Sequence, residues 1–223
     1  MRIRRVGGHA LLLDFAAPTD SEPDSPDALT PAEPVDPALV EGWRAELWRR
    51  RERAELVATE IVPAAATVLL DGVPDPAATA AAIRTWTPMP PLTTSAAAEP
   101  VEVPVTYDGE DLPRVAAHWH TDVPSVVRRI AQTEFRVAFC GFAPGFGYLT
   151  GLPAELAVPR LPSPRPRVPA GSVALAGPYA GIYPTASPGG WLLVGRTTLA
   201  LFDVRADPPA RLTPGTPVRL LPT

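Results

Sequence analysis

The 223-residue chain has little of several features that mark common classes of protein. It contains one cysteine, Cys140, so it forms no internal disulfide and supplies no cysteine cage for zinc, which favours a reducing compartment, the cytoplasm. It has no apolar run approaching the roughly 20 residues that span a membrane, and Asp14 interrupts the short apolar run near the N-terminus before a signal-peptide core is complete. The formal net charge is -4 with both signs mixed, which argues against a nucleic-acid partner. We therefore expect a cytoplasmic protein with neither a nucleic-acid nor a membrane partner.

Two further absences limit the chemistry. The sequence has no G-x4-G-K-[ST] element, so a P-loop ATP site in this chain is not expected. Its only histidines are His9, His118 and His120, and none is near Ser172 in sequence, which argues against a serine triad. The spacing of His118 and His120, without nearby acidic partners, predicts no metal site.

Residues 1–90 have the pattern of a small α+β domain. Five elements are predicted, namely a strand, a helix, two short strands and a second helix, over residues 1–15, 38–54, 56–62, 66–70 and 76–86. This order is typical of an open, ferredoxin-like module. An acidic, proline-rich loop is predicted over 16–37, and a proline-bearing linker over 91–100 marks the domain boundary.

Residues 101–223 have a different character. A strand over 101–107 and two helices over 111–117 and 124–132 are followed by short apolar runs separated by Gly and Pro clusters. These runs cover residues 137–140, 172–176, 191–194, 199–203 and 218–221. Such spacing indicates a β-rich barrel or sandwich.

Three Gly- and Pro-rich stretches are the most distinctive part of the sequence. They are GFAPGFGYL at 141–149, PRLPSPRPRVPAGSV at 159–173, and the segment 181–197, which contains GIYP and PGGWLLVGRT. Glycine lets backbone amides approach a ligand or a neighbouring chain, and proline limits the entropy lost on binding. The same stretches are compatible with tight turns of a small barrel, and their pattern alone leaves both interpretations open.

Together these motifs strongly resemble the KipI family, also described as allophanate hydrolase subunit 1 or as the B subunit of 5-oxoprolinase. The resemblance is close over residues 101–220 and weaker over 1–90. It implies a ferredoxin-like N-terminal domain followed by a cyclophilin-like, carboxyltransferase-type β-barrel domain over 101–223. It also implies a subunit of a hydrolase complex that acts on a cyclic amide and is inactive alone. The implied partners are a C-type subunit (KipA, or allophanate hydrolase subunit 2) and a ring-opening A-type subunit, and the complex uses ATP to convert 5-oxoproline to glutamate.

The family leaves other functions open. The chain is also compatible with a KipI-like inhibitor of a sensor histidine kinase, or with a subunit of an allophanate or urea amidohydrolase. The barrel alone would also fit a prolyl isomerase, although a fold does not determine a function. A histidine common in the family is replaced here by Ile130, so no histidine is assigned to the site.

The motifs supply the candidate site residues. Arginines in such loops hold carboxylates or phosphates, and hydroxyls donate to a developing oxyanion. The predicted catalytic residues are Arg165, Arg196, Ser172 and Tyr183. The predicted substrate- or partner-binding residues are Phe142, Pro144, Gly145, Phe146, Tyr148, Arg160, Pro169, Gly171, Gly189, Gly190 and Trp191. Structural ion pairs or subunit contacts remain the alternative for the arginines, and Cys140 is predicted to be a buried, unreactive thiol.

Overall fold

The computed structural model describes residues 1–16, 35–88 and 99–223. The chain divides into two compact units, Met1–Ala96 and Ala97–Thr223. Most of the predicted loop at 16–37 and of the predicted linker at 91–100 lies outside the described residues, so both stay predictions. In the part of the chain that is described, no helix is long and apolar enough to cross a membrane.

Within its described residues, 1–16 and 35–88, the first unit contains one antiparallel sheet and two helices. Its elements are β1 (Arg2–Val6), β2 (Ala10–Asp14), α1 (Pro37–Glu52), β3 (Glu60–Pro63), β4 (Thr67–Asp71) and α2 (Pro76–Ile83). The strand order is β1-β2-β4-β3. Because β4 pairs antiparallel with both β2 and β3, those two strands are parallel to each other. They are connected through α1, which is a split β-α-β arrangement.

The N-terminal segment forms a hairpin, and the single strand predicted over residues 1–15 is therefore wrong. β1 and β2 pair from Arg2 opposite Asp14 to Val6 opposite Ala10. The chain reverses at Gly7, whose φ of +63° lies in the left-handed region that glycine enters without steric cost. β1 consequently forms an edge of the sheet, beside β2.

Local sequence explains where both helices of this unit begin. The side chain of Asp36 accepts a hydrogen bond from the Ala38 amide at 2.9 Å, and that of Asp75 accepts one from the Ala78 amide at 3.0 Å. In each case a proline follows the capping aspartate, where its missing N–H costs nothing. Their apolar faces join the strands in one core, which includes Leu11, Leu13, Val40, Trp43, Leu47, Ile61, Val68, Leu70 and Ile83.

The second unit contains a nearly closed, barrel-like sheet. Its elements are β5 (Val101–Val105), α3 (Leu112–His118), α4 (Val123–Gln132), β6 (Phe135–Cys140), β7 (Gly147–Thr150), a 3-10 turn (Ala154–Leu156), β8 (Arg165–Val168), β9 (Ser172–Ala176), β10 (Tyr179–Ile182), β11 (Ser187–Gly189), β12 (Leu192–Arg196) and β13 (Pro217–Pro222). Seven strands follow the order β12-β9-β10-β7-β6-β13-β5, and β8 pairs with β11 in a separate ribbon. Thr106 and Arg196 exchange two backbone hydrogen bonds of 2.9 Å, which join the two edges of the seven-stranded sheet.

Residues 199–203 do not form the strand that was predicted there. Only Phe202 makes an isolated bridge, to Ala210. The facing segment contains Pro208 and Pro209, which lack the N–H groups that a longer ladder would need.

Two apolar clusters fill this unit. The larger joins the sheet to α3 and α4 and includes Val103, Val105, Val126, Ile130, Phe135, Leu149, Val173, Leu175 and Leu220. Ile130, at the position of the family histidine, is fully buried in it. The smaller cluster contains Phe146, Val168, Ala174, Ala176, Tyr183, Trp191 and Leu193.

Candidate functional site

A pocket of about 430 Å³ opens beside the smaller cluster. It is formed by the loop between β6 and β7, the segment after the 3-10 turn, the turn between β9 and β10, and the end of β11. The lining residues are Phe142, Phe146, Tyr148, Val158, Pro159, Arg160, Ala176, Gly177, Pro178, Tyr179, Tyr183, Pro188, Gly189 and Trp191. Its volume suits a small molecule.

Aromatic rings form one wall of the pocket. Phe146 is at its centre, with edge-to-face contacts at centroid distances of 5.0 Å to Tyr148, 5.6 Å to Tyr183 and 5.5 Å to Trp191. These are the separations at which aromatic rings attract one another. A Cβ atom on Gly181 would lie 2.8 Å from the Phe146 ring, so glycine at this position of β10 makes room for the wall. The rings therefore form a packed, preorganised surface.

Phe142 lies at the rim of this wall. Its side chain is 59% exposed, although its ring approaches Phe146 and Tyr183 edge to face at 5.2 and 6.0 Å. Its backbone has a φ of +67°, which is unusual for a residue with a bulky side chain. A strained, exposed aromatic residue at a pocket rim is typical of a functional position.

The polar groups that the lining side chains present are hydrogen-bond donors. Three tyrosines, Tyr148, Tyr179 and Tyr183, line the pocket, and none of their hydroxyls donates to a protein group among the described residues. Burial raises the pKa of all three, which keeps the hydroxyls protonated. No carboxylate or carboxamide side chain is among the described lining residues.

Arg160 supplies the positive charge of the pocket. It is exposed, and no carboxylate of the described residues lies within 4 Å of its guanidinium. Burial raises the pKa of Tyr148 and Tyr183, and the nearby positive charge of Arg160 lowers both pKa values in part. Arg160 therefore lies within electrostatic reach of these two phenols. A guanidinium that no carboxylate of the described residues pairs with, beside neutral hydroxyl donors, has the chemistry that holds a small anion.

Arg165 has a different setting from Arg160, although both follow a proline in the same motif. Its guanidinium donates to Asp111 Oδ2 at 2.7 Å and to the Trp191 carbonyl at 3.3 Å, and it pairs with Glu110 Oε1 at 2.7 Å. It is outside the pocket lining. The geometry therefore favours the structural ion pair, the alternative left open for this residue.

The structure separates the other predicted residues from the pocket. Arg196 is 70% exposed and pairs with Asp108 at 2.8 Å. Ser172 is buried at the start of β9. His118 contacts the carbonyl of Ala157 and not the Ser172 hydroxyl. Pro144, Gly145, Pro169, Gly171 and Gly190 are likewise outside the lining.

Two of these glycines have a structural reason of their own. Gly145 and Gly171 have φ values of +85° and +80°, and a Cβ on either would overlap a neighbouring segment, at Phe202 and Thr197 respectively. Their place in the motifs reflects close backbone packing. Cys140 is half-buried at the end of β6, and burial raises its pKa, in agreement with an unreactive thiol.

Sequence reasoning missed several residues of the site. Tyr179 lines the pocket directly after the Gly177-Pro178 turn, a signal that could have placed it at a strand end. Asp111 lies outside the three motifs and is 5% exposed, yet it holds Arg165. Apart from a 4.0 Å ion pair with Arg114, the partners of Asp111 are more than 50 residues away in sequence, so local sequence does not reveal its contact with Arg165.

Comparison with known proteins gives a consistent picture. The sequence profile of the family described as "Carboxyltransferase domain, subdomain C and D" matches residues 1–212. A protein of Escherichia coli O157:H7, named as the B subunit of 5-oxoprolinase, is 49% identical over 125 residues, which are 55% of this chain and 57% of that protein. Matching proteins from Bacillus subtilis and Haemophilus influenzae carry the same name. The chain thus spans about half the length of the curated relatives it matches.

Two solved structures show similar folds. The crystal structure of TTHA0988 matches with a TM-score of 0.71 and 31% identity, covering 100% of this chain and 40% of that one. The Kluyveromyces lactis urea amidolyase matches with a TM-score of 0.72 over 99% of this chain and 15% of that one. At 18% identity the second likeness concerns the fold alone.

Proposed function

The chain belongs to the family of carboxyltransferase domains, subdomains C and D, and from that premise we propose that it is the B subunit of an ATP-dependent 5-oxoprolinase. In this assembly it acts with a KipA-like C-type subunit and a ring-opening A-type subunit in the cytoplasm, and the complex uses the ATP. The relatives named as B subunits of 5-oxoprolinase support the proposal.

The observation that carries the proposal is a pocket of hydrogen-bond donors that includes the Arg160 guanidinium, which no carboxylate of the described residues pairs with. 5-Oxoproline is a flat five-membered lactam with one carboxylate and a ring carbonyl, so it offers a small anion and a hydrogen-bond acceptor on one rigid body. We place its carboxylate against Arg160 and its ring against the aromatic wall. Tyr183 then donates a hydrogen bond to the lactam oxygen and polarises the ring carbonyl.

The remaining predicted residues have more distant roles in this proposal. Arg165 acts through Trp191, whose carbonyl it holds. Arg196 and Ser172 stay predictions for the assembled complex. The split β-α-β sheet supports a ferredoxin-like assignment of the first unit, with the N-terminal strand β1 in the place of the usual last strand. The nearly closed sheet of the second unit supports a cyclophilin-like barrel.

The test is reconstitution of the complex. This chain and its two proposed partners are purified, and ATP-dependent formation of glutamate from 5-oxoproline is measured with each component omitted in turn. We expect turnover with all three and none without this chain. Absence of turnover with all three components folded would refute the proposal, and inhibition of a sensor histidine kinase would be assayed next.

One pair of variants tests the pocket itself. Arg160→Gln removes the positive charge of the pocket lining, and we expect KM for 5-oxoproline to rise roughly 10- to 100-fold, the loss typical of a hydrogen bond to a charged group. Arg167→Gln is the control, because Arg167 is an exposed arginine of the same motif outside the lining. Equal KM values for the two variants would remove Arg160 from the site.

A further inference from the structure

The carboxylate of Asp111 occupies an unusual place. Asp111 is the N-cap residue of α3, yet its side chain makes no capping hydrogen bond with that helix. It is 5% exposed, and its Oδ2 accepts from the backbone N–H of Leu193 and from Arg165, both at 2.7 Å. An aspartate at this position ordinarily accepts from the first turn of its own helix. Here the carboxylate is directed to the strand that starts beside the pocket.

The contacts of Asp111 continue to the pocket wall. Its backbone N–H donates to the Leu193 carbonyl at 3.0 Å, so main chain and side chain together hold both polar groups of Leu193. Arg165, held by Asp111, donates in turn to the Trp191 carbonyl. Trp191 packs on Phe146 and Tyr148, and Phe146 in turn contacts the Tyr183 ring edge to face at 5.6 Å.

The segment before α3 also lies close to strand β12. A Cβ on Gly109 would overlap the backbone of Leu193 and Val194, so the chain before α3 lies directly against β12. This contact leaves the Asp111 carboxylate at a fixed distance from the start of β12. A buried carboxylate with two hydrogen bonds of 2.7 Å is well suited to fix that strand end.

We infer that Asp111 is a positioning residue of the ligand pocket, acting through Arg165 and the start of β12 to hold Trp191 and Tyr183 in place. Its effect on catalysis rests on the proposed function, whereas its effect on the wall does not. Removal of its charge leaves Glu110, which Arg165 already pairs with at 2.7 Å, as the carboxylate partner of Arg165, and the guanidinium is no longer held towards the Trp191 carbonyl. The wall then loses its fixed geometry, and a small ligand loses complementary contacts on one side.

The test uses the full-length chain and the reconstituted complex. Asp111→Asn retains an acceptor for the Leu193 amide and removes the charge that holds Arg165. Glu134→Gln is the control, because Glu134 is an exposed carboxylate that pairs with Arg219 at 3.1 Å, outside the pocket lining. Arg165→Lys is a second variant that keeps a cation opposite Asp111, so the buried charge stays balanced while the fork that reaches Trp191 is lost.

Two readouts distinguish positioning from general stability. The near-ultraviolet circular dichroism of Trp191 is obtained as the wild-type spectrum minus that of Trp191→Phe. We expect this band to be lost in Asp111→Asn and Arg165→Lys and kept in Glu134→Gln. In the complex we expect KM to rise roughly tenfold in Asp111→Asn and in Arg165→Lys, with kcat changed less than KM. An unchanged Trp191 band in folded Arg165→Lys would overturn the inference, as would a fall in kcat with KM unchanged.

The inference and the proposed function fail in different ways. If the wild-type complex does not convert 5-oxoproline, the proposed function is refuted, and the Trp191 band still decides whether Asp111 positions the wall. If the complex is active and Asp111→Asn keeps both the band and the KM, the inference alone is refuted.

Discussion

Substitution of two adjacent glycines tests how tightly the pocket wall is packed. A Cβ on Gly189 would lie 2.9 Å from Tyr183 Cζ and would overlap its hydroxyl, so Gly189→Ala must push the phenol out of place. A Cβ on Gly190 would meet nothing nearer than the Leu161 carbonyl oxygen at 3.6 Å, an ordinary van der Waals distance. The pair therefore differs in the overlap with Tyr183 and little else.

The expected magnitude follows from this difference. Each variant gains a similar stabilisation from the reduced freedom of its unfolded chain, about 0.4–1 kcal/mol. Overpacking of a well-packed cluster costs about 1–3 kcal/mol, and it applies to Gly189→Ala alone. We therefore expect Gly189→Ala to unfold with a free energy about 1–3 kcal/mol lower than that of Gly190→Ala.

Urea denaturation followed by tryptophan fluorescence measures the difference, provided that the m-values agree. Binding of 5-oxoproline to the two variants, measured in parallel, reports on the displaced phenol, and we expect weaker binding to Gly189→Ala. Equal stability of the two variants, or a more stable Gly189→Ala, would show that Tyr183 does not pack against β11 as described. The reasoning about the wall would then be refuted.

Two further predictions concern ionisable groups. Burial raises the pKa of all four tyrosines, Tyr107, Tyr148, Tyr179 and Tyr183, above the ordinary value of 10.0. The folded chain then binds more protons than the unfolded chain above pH 10, so stability falls as pH rises beyond that value. Absorbance at 295 nm measures tyrosinate, and we expect its titration midpoint to lie above pH 10 in the folded chain and near pH 10 in urea. Equal midpoints in the two states would contradict this prediction. Burial also raises the pKa of Cys140. We therefore expect a disulfide reagent at pH 8 to modify Cys140 slowly in the folded chain and rapidly in urea. Equal rates of modification would indicate an accessible thiolate in the folded chain.

Features that depend on neighbouring residues were predictable from the sequence. Asp36 and Asp75, each followed by proline, mark the starts of both helices of the first unit because a capping bond is made within two or three residues. The family resemblance likewise depends on short motifs that keep their order and spacing, and the profile match over residues 1–212 confirms it. The reversal at Gly7 was predictable in principle, since two consecutive glycines there are a turn signal.

The site itself depended on tertiary structure. Arg160 and Arg165 lie five residues apart and each directly follows a proline. Nothing in that local sequence shows that carboxylates hold Arg165, whereas no described carboxylate pairs with Arg160. The difference arises because the barrel brings Glu110 and Asp111 to Arg165, across more than 50 residues of sequence. The sequence alone determined the family, the helix starts and the residue types available for an anion site. Only the closure of the sheet decided which of them share a pocket, because side chains distant in sequence meet there through strand pairing.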